Sequence, residues 1–134
     1  MPAVNKQVHI AAPIEKVWAA LAERRNLEDW MGKDSVAELE LKVGGRYAVF
    51  GGGTTGKFTA IEKPHTLGYA WRQSEWPGSW ADSVVSWALK AKEGGTDVTL
   101  THDQFPSQEE RDGHDAGWGG YWLGPMKDWL EKQS

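Results

Sequence analysis

The clearest chemical groups in this sequence are two histidines, His102 and His114, which are separated by eleven residues. Each is followed by an aspartate, Asp103 and Asp115. A turn between them could bring the two imidazoles together, where they could orient a ligand, exchange protons with it or, with the aspartates, hold a metal ion. Two hydrogen-bonded structural histidines at a strand–helix corner are the interpretation we prefer, and we therefore expect no metal site.

The other polar residues spell out no catalytic set, and an ordinary surface ion pair is the interpretation we prefer for Arg46. Arg46 follows two glycines in a predicted turn and could pair with a ligand carboxylate or with Glu38 or Glu40. No serine lies in a nucleophile elbow, and no set of residues has the order of a catalytic triad. The run 51–56 is rich in glycine but lacks the lysine and hydroxyl residue that end a phosphate-binding loop. We assign no catalytic residue and no cofactor, and leave enzymatic activity open.

The composition excludes several classes of protein. The chain has 134 residues, a formal net charge of -4 and no cysteine. It therefore has neither disulfides nor thiolate metal sites, and its interspersed charges form no basic stripe for nucleic acid. We find no signal peptide and no window of ~20 apolar residues that could span a membrane, and we expect a cytoplasmic protein. This length fits a single domain over residues 1–134.

Nine tryptophans are the outlier in the composition, and several lie on one face of a C-terminal helix predicted over Phe105–Leu130. Ser107, with Glu110 three residues later, is typical of a capping box at its start. Pro125 predicts a kink in its last third. A face this aromatic must be buried, most simply by a sheet built from the preceding residues. Its members recur at helical spacing and are His114, Trp118, Tyr121, Trp122, Pro125 and Trp129.

The same helix carries a stripe of four glycines, Gly113, Gly117, Gly120 and Gly124. Each glycine inside a helix costs ~1 kcal/mol relative to alanine, so the stripe opposes the helix that the aromatic spacing predicts. Packing that overrides this propensity is one explanation. A surface where another backbone or a second subunit approaches closely is the other, which leaves a homodimer open.

The residues before this helix predict one strand, two helices and six further strands. Apolar and polar residues alternate in the strands, which is typical of a sheet with one buried face. Leu67, Tyr69 and Trp71 are expected on that face. The predicted elements are a strand at 4–11, a helix at 14–21 closed by Arg24–Asn26, a short helix at 27–31, and strands at 36–41, 47–50, 57–61, 67–71, 83–92 and 97–102.

Six motifs then follow one another along nearly the whole chain: Ala12–Leu21, Trp30, Val43–Arg46, Trp71, Leu100–His102 with Phe105–Pro106, and His114 with Gly117–Trp118. In this order they resemble the START-like (SRPBCC) superfamily, in particular its branch of activator-of-heat-shock-ATPase homologues. The resemblance implies the helix-grip fold, an α+β arrangement in which a curved antiparallel sheet of six to seven strands wraps around a long C-terminal helix. Two short helices lie between its first two strands.

The resemblance also implies a cavity between sheet and helix that takes apolar or aromatic small molecules, and we expect such a ligand here. One alternative is a protein-interaction module with a chaperone partner, which predicts an exposed apolar patch at Trp76 and Trp80 or at the glycine stripe. Another is an aromatase/cyclase-type enzyme that uses the same cavity and needs a group with a shifted pKa inside it. The candidate ligand-binding residues are Tyr47, Phe58, Tyr69, Trp71, Trp87, His102, His114, Trp118, Tyr121 and Trp122.

Overall fold

The computed structural model describes residues 3–133, in which a curved seven-stranded antiparallel sheet wraps around a C-terminal helix. The order of strands across the sheet is β1-β7-β6-β5-β4-β3-β2. The predicted α+β helix-grip fold is therefore confirmed. The elements are β1 (Val4–Ile10), α1 (Ile14–Ala22), α2 (Arg24–Met31), β2 (Glu38–Leu39), β3 (Arg46–Val49), a 3₁₀ turn (Phe50–Gly52), β4 (Thr54–Glu62), β5 (Thr66–Gln73), β6 (Ser83–Lys92), β7 (Gly95–Asp103), α3 (Gln108–Trp118), a π-helical turn (Gly119–Leu123) and α4 (Gly124–Glu131).

The sheet presents one aromatic face to the helix because apolar residues alternate along its central strands. Leu67, Tyr69 and Trp71 of β5 are each less than 5% exposed, as their spacing predicts. β7 lies between β1 and β6, so the first strand of the chain pairs with the last, from Val4 opposite His102 to Ile10 opposite Thr96.

The prediction that Arg24–Asn26 closes the first helix is wrong, because these residues begin the second. α1 ends at Ala22, and Glu23 adopts an extended conformation (φ −108°, ψ 127°) from which α2 starts at once. Trp30 ties the two helices together, since its indole Nε1 donates to the carbonyl oxygen of Ala20 at 2.9 Å.

The strand predicted from Val36 to Leu41 is much shorter in the structure. The strand covers Glu38–Leu39, flanked by hydrogen bonds from the N–H groups of Ala37 and Glu40 to carbonyls of β3. Val36 is buried beside it and Leu41 is 40% exposed. The following turn returns close to this strand, since a Cβ at Gly45 would lie 2.2 Å from the carbonyl oxygen of Glu40. The glycine therefore permits a turn that ends the strand early.

The C-terminal helix widens by one residue immediately before Pro125. The N–H of Gly124 donates to the carbonyl oxygen of Gly119, which is the five-residue spacing of a π turn. Pro125 has no N–H and would crowd the carbonyl four residues earlier in a regular α-helix. The π turn accommodates it and lets α4 begin there, which accounts for how the chain continues past the proline.

The π turn predicts opposite effects for two glycine-to-alanine changes. A Cβ at Gly124 would lie 2.8 Å from the oxygen of Gly119, whereas a Cβ at Gly113 would meet nothing within 4 Å. Gly124→Ala should therefore lower the free energy of unfolding by ~1–3 kcal/mol. Gly113→Ala should raise it by up to ~1 kcal/mol. Urea unfolding measures both, and equal effects of the two changes would contradict the role given to Gly124.

Candidate functional site

His102 lies at the buried junction between sheet and helix, with both ring nitrogens in hydrogen bonds. The indole Nε1 of Trp118 donates to His102 Nδ1 at 3.1 Å. Because an indole N–H can only donate, Nδ1 must be unprotonated and the proton of the neutral ring sits on Nε2. Nε2 then donates to Ser83 Oγ at 2.7 Å, and this hydroxyl donates to the carbonyl of Trp71 at 2.9 Å.

His114 occupies the same position relative to a second tryptophan. Trp71 Nε1 donates to His114 Nε2 at 3.1 Å, so the ring proton is on Nδ1, which donates to the carbonyl of Glu110 at 2.8 Å. The centres of the two imidazoles are 5.2 Å apart. The structure thus brings His102 and His114 together, and both serve as acceptors for buried indoles.

This arrangement leaves the histidine pair without a lone pair for a metal ion. His102 is fully buried, and burial, reinforced by the nearby His114, lowers its pKa to about 2. It is therefore neutral in the folded protein at any physiological pH. Within residues 3–133, no group of three histidine, aspartate or glutamate side chains is placed to hold a metal.

The space between sheet and helix is filled by aromatic side chains. The rings of Trp87 and Trp118 meet edge-on with centres 5.7 Å apart, and Trp118 and Trp122 lie 5.2 Å apart. Tyr47, Phe58 and Tyr69 form a second buried cluster under β3 to β5. Of the predicted ligand-binding residues, these three together with Trp87 and His102 are thus part of the packed interior.

An open groove of about 380 Å³ runs along the outer edge of α3. It includes the other five predicted residues: Trp71, His114, Trp118, Tyr121 and Trp122. Its remaining members were not among the ligand-binding residues selected from the sequence and are Phe50, Gln73, Glu109, Glu110, Gly113 and Gly117. The groove therefore lies at the mouth of the sheet–helix junction, and the packed tryptophans form its floor.

Two rows of helix residues explain why the groove exists. The inner row has Glu110, His114, Trp118 and Trp122 at intervals of four, and the outer row has Glu109, Gly113, Gly117 and Tyr121 at the same intervals. Residues four apart lie one above the other on a helix. The two glycines have no side chain to fill the middle of the outer row, so the groove lies there, beside the inner row. Half of the glycine stripe therefore lines the groove.

Phe50 forms the opposite wall from the hairpin between β3 and β4. Its ring lies edge-on to Trp122 with centres 6.1 Å apart, and the side chain is 43% exposed. The residue has φ of 54°, a conformation that non-glycine residues seldom adopt. This backbone conformation places an aromatic ring over the groove rather than in the core, and nothing in the local sequence indicates it.

The structure corrects two predictions, one for Tyr121 and one for Trp76. Tyr121, expected on the buried face, is 71% exposed because Trp118 and Trp122 take the inward positions and the π turn leaves Tyr121 at the lip.

Trp76, expected in an exposed patch, is 5% exposed. Its Nε1 donates to Glu110 Oε1 at 2.7 Å, so Glu110 binds an indole instead of closing the predicted capping box. Ser107 Oγ does accept from the N–H of Glu110.

Comparison with known proteins gives one family and several full-length structural matches. The sequence model of the family described as "Activator of Hsp90 ATPase homolog 1-like protein" matches residues 11–131. PFC0360w, an HSP90 activator from Plasmodium falciparum, is 27% identical, with 96% of this chain and 95% of that chain covered and a TM-score of 0.84. The Aha1 dimer from Colwellia psychrerythraea is also 27% identical, covers 98% and 97%, and has a TM-score of 0.82.

A more distant structure shares the fold alone. CalU16 from Micromonospora echinospora is 23% identical, with 92% of this chain and 74% of that chain covered and a TM-score of 0.76. A search of curated proteins gives no match. Among residues 3–133, none of the helices is both long and apolar enough to cross a membrane.

The buried neutral state of His102 predicts a specific dependence of stability on pH. The unfolded chain takes up a proton at this histidine below its ordinary pKa of 6.5, whereas the folded chain does not until about pH 2. The stability contributed by His102 is therefore complete above pH 6.5. It falls as the pH drops from 6.5 toward about 2, by up to ~1.4 kcal/mol per pH unit.

Urea unfolding at pH 7 and pH 5 isolates this contribution when wild type is compared with His102→Gln. Wild type should lose ~2 kcal/mol more than the variant on acidification. The exposed His65 provides the control, and His65→Gln should retain the wild-type loss. An equal loss in wild type and His102→Gln would show that His102 is not held neutral by the fold.

Proposed function

This chain belongs to the family of Activator of Hsp90 ATPase homolog 1-like proteins, and we propose that it binds a small apolar or aromatic molecule in the groove along its C-terminal helix. The observation that carries this proposal is the gap that Gly113 and Gly117 leave over a row of aromatic rings. Five aromatic side chains, apart from His114, line a volume within the ~300–1,000 Å³ that ligand pockets occupy.

The groove has the chemistry of a binding site. Trp71, Trp118 and Trp122 form a rigid aromatic floor, because each is held in the packed interior and little of its surface is exposed. Phe50 and Tyr121 are the exposed rings at its edges, and a ligand between them would remove apolar surface from water on both sides. The amide oxygen of Gln73 accepts from Thr54 Oγ1 at 2.5 Å, which leaves its NH₂ group to donate to a ligand oxygen.

Binding is favoured over a cyclase-type reaction by the state of the histidines. Both ring nitrogens of His114 already have partners, in Trp71 and Glu110. The group with the strongly lowered pKa, His102, is buried behind the groove and does not line it. A proton-transfer role would require either ring to release a hydrogen bond to a buried indole or carbonyl, which costs ~1–3 kcal/mol per group left unsatisfied.

Leucine substitutions in the glycine stripe give a direct test of the groove. A Cβ at Gly113 meets nothing within 4 Å and one at Gly117 meets only the Tyr121 ring at an ordinary 3.6 Å. Leucine at either position should therefore fill the groove without disturbing the core. Gly120 is equally open but does not line the groove, so Gly120→Leu is the matched control.

A thermal-shift and tryptophan-fluorescence screen of apolar molecules, lipids and polyphenols supplies the ligands for this test. A compound at 100 times its Kd should stabilise the fold by ~2.7 kcal/mol. Saturable binders of wild type should still bind Gly120→Leu and should fail to bind Gly113→Leu and Gly117→Leu. Binders that ignore the groove-filling changes, or a screen without any saturable binder, would contradict the proposal.

Activation of a heat-shock ATPase is the second candidate function. It is favoured by 27% identity to an HSP90 activator over 96% of this chain. Trp76 is buried and cannot form the apolar patch for this contact. Leu41 and Val43, which are 40% and 65% exposed at the turn between β2 and β3, supply an exposed apolar patch instead.

Stimulated ATP hydrolysis tests this second function. Added chain should raise the steady-state ATPase rate of a heat-shock chaperone, and Val43→Asp should lower that stimulation because it places a charge in an apolar contact. Gly113→Leu, which alters the groove but not this turn, should stimulate like wild type. A chaperone rate that does not change when wild type is added would exclude this function for that chaperone.

A further inference from the structure

The charge distribution around the groove indicates which ligands it selects. Resting on the binding function proposed above, we infer that the groove prefers a cationic aromatic or alkyl ammonium molecule to a neutral or anionic molecule of the same shape. The occupant would place its ammonium group between Glu109 and Glu110 and its apolar body over Trp118 and Trp122, toward Tyr121.

Both acidic groups lie at the same end of the groove. Glu109 begins the outer row and Glu110 the inner row, in the first turn of α3. Within residues 3–133, Glu109 has no hydrogen-bonded or ionic partner, and its side chain is exposed. Glu110 uses Oε1 to accept from Trp76, which orients the carboxylate and leaves its second oxygen for a ligand.

The positive charges that could neutralise the acidic end of the groove are directed to other parts of the molecule. The residues that line the groove include neither lysine nor arginine. Arg111, the nearest base in the sequence, contacts Asp112 and Asp115 on another side of the helix. His114 Nε2 accepts the indole N–H of Trp71 and so offers no donor to the groove. Among the lining side chains, the carboxylates of Glu109 and Glu110 therefore supply the formal charge.

The helix dipole opposes this preference but is smaller. The N-terminus of a helix carries about half a positive charge, which by itself favours anions. Ser107 already accepts from the N–H of Glu110, and two full negative charges in the first turn outweigh the remaining partial charge. An anion in the groove would thus meet net repulsion at the only end where it could find a helix N–H.

The aromatic walls add to the attraction for a cation. The faces of tryptophan and tyrosine attract ammonium groups, most strongly when water is excluded. Along the helix, Glu109 and Tyr121 are twelve residues apart, or ~18 Å at 1.5 Å per residue. That length accommodates a molecule with an ammonium group at one end and a two-ring or short alkyl body at the other.

Three probes with one ring system separate charge from shape. These are 2-naphthylmethylammonium, 2-naphthylmethanol and 2-naphthoate, titrated into the full chain by calorimetry. The ammonium should bind about tenfold more tightly than the alcohol, and the carboxylate should bind least. The advantage should shrink as salt is raised, since exposed charges are screened.

Variants that remove charge test whether the preference for the ammonium comes from the carboxylates of Glu109 and Glu110. Glu110→Gln keeps an oxygen that can accept from Trp76, and Glu109→Gln is close to isosteric, so their combination removes charge with little change of shape. The ratio of ammonium to alcohol affinity should fall toward one in the double variant. Asp112→Asn, on the same helix but outside the groove lining, removes a charge of the same sign and should keep the wild-type ratio.

The outcomes distinguish this inference from the function on which it rests. Equal binding of the ammonium and the alcohol, or a preference that survives in the double variant, overturns the inference and leaves an apolar binding groove standing. Binding of none of the three probes, together with an empty screen of apolar compounds, overturns the binding function itself. An ammonium preference that is lost only in the double variant supports both.

Discussion

The need of three buried indoles, those of Trp71, Trp76 and Trp118, for a hydrogen-bond acceptor organises the junction between sheet and helix. Tryptophan brings a large apolar area, but an unpaired N–H in the interior costs ~1–3 kcal/mol. Trp118 and Trp71 satisfy this need on His102 and His114, and Trp76 does so on Glu110. Because an indole only donates, these contacts also determine where the protons of both histidines sit. The ring nitrogens of both histidines are thereby engaged in hydrogen bonds that assemble the core.

The elements that could be predicted from the sequence are those whose pattern is local. Leu67, Tyr69 and Trp71 alternate with a period of two, and Trp118 and Trp122 recur one helical turn apart, so their buried faces follow from spacing alone. Tyr121 was misplaced because the π turn depends on a contact between Gly119 and Gly124. Trp76 was misplaced because its partner lies 34 residues away in the helix, beyond the reach of any local pattern.

The groove shows the same division between what was predictable and what was not. Its floor was found from the aromatic spacing, and the glycine stripe was recognised as a possible close-approach surface. The outer wall comes from Phe50, whose unusual backbone conformation and distance along the chain from the helix conceal it. The stripe in fact divides by function: two glycines open the groove, and Gly124 admits the π turn. Glycine therefore meets two different requirements within one helix, and only the three-dimensional structure shows which glycine meets which.

The pairing of β1 with β7 has a consequence for how this protein is made. Val4 lies opposite His102, so β1 cannot complete its ladder until β7 has been synthesised. Contacts between residues so far apart in sequence slow folding, because the loop between them must close first. During that interval β1 has an unpaired edge that invites association with other chains. Protection of β1 thus depends on the synthesis of β7, a strand far along the sequence.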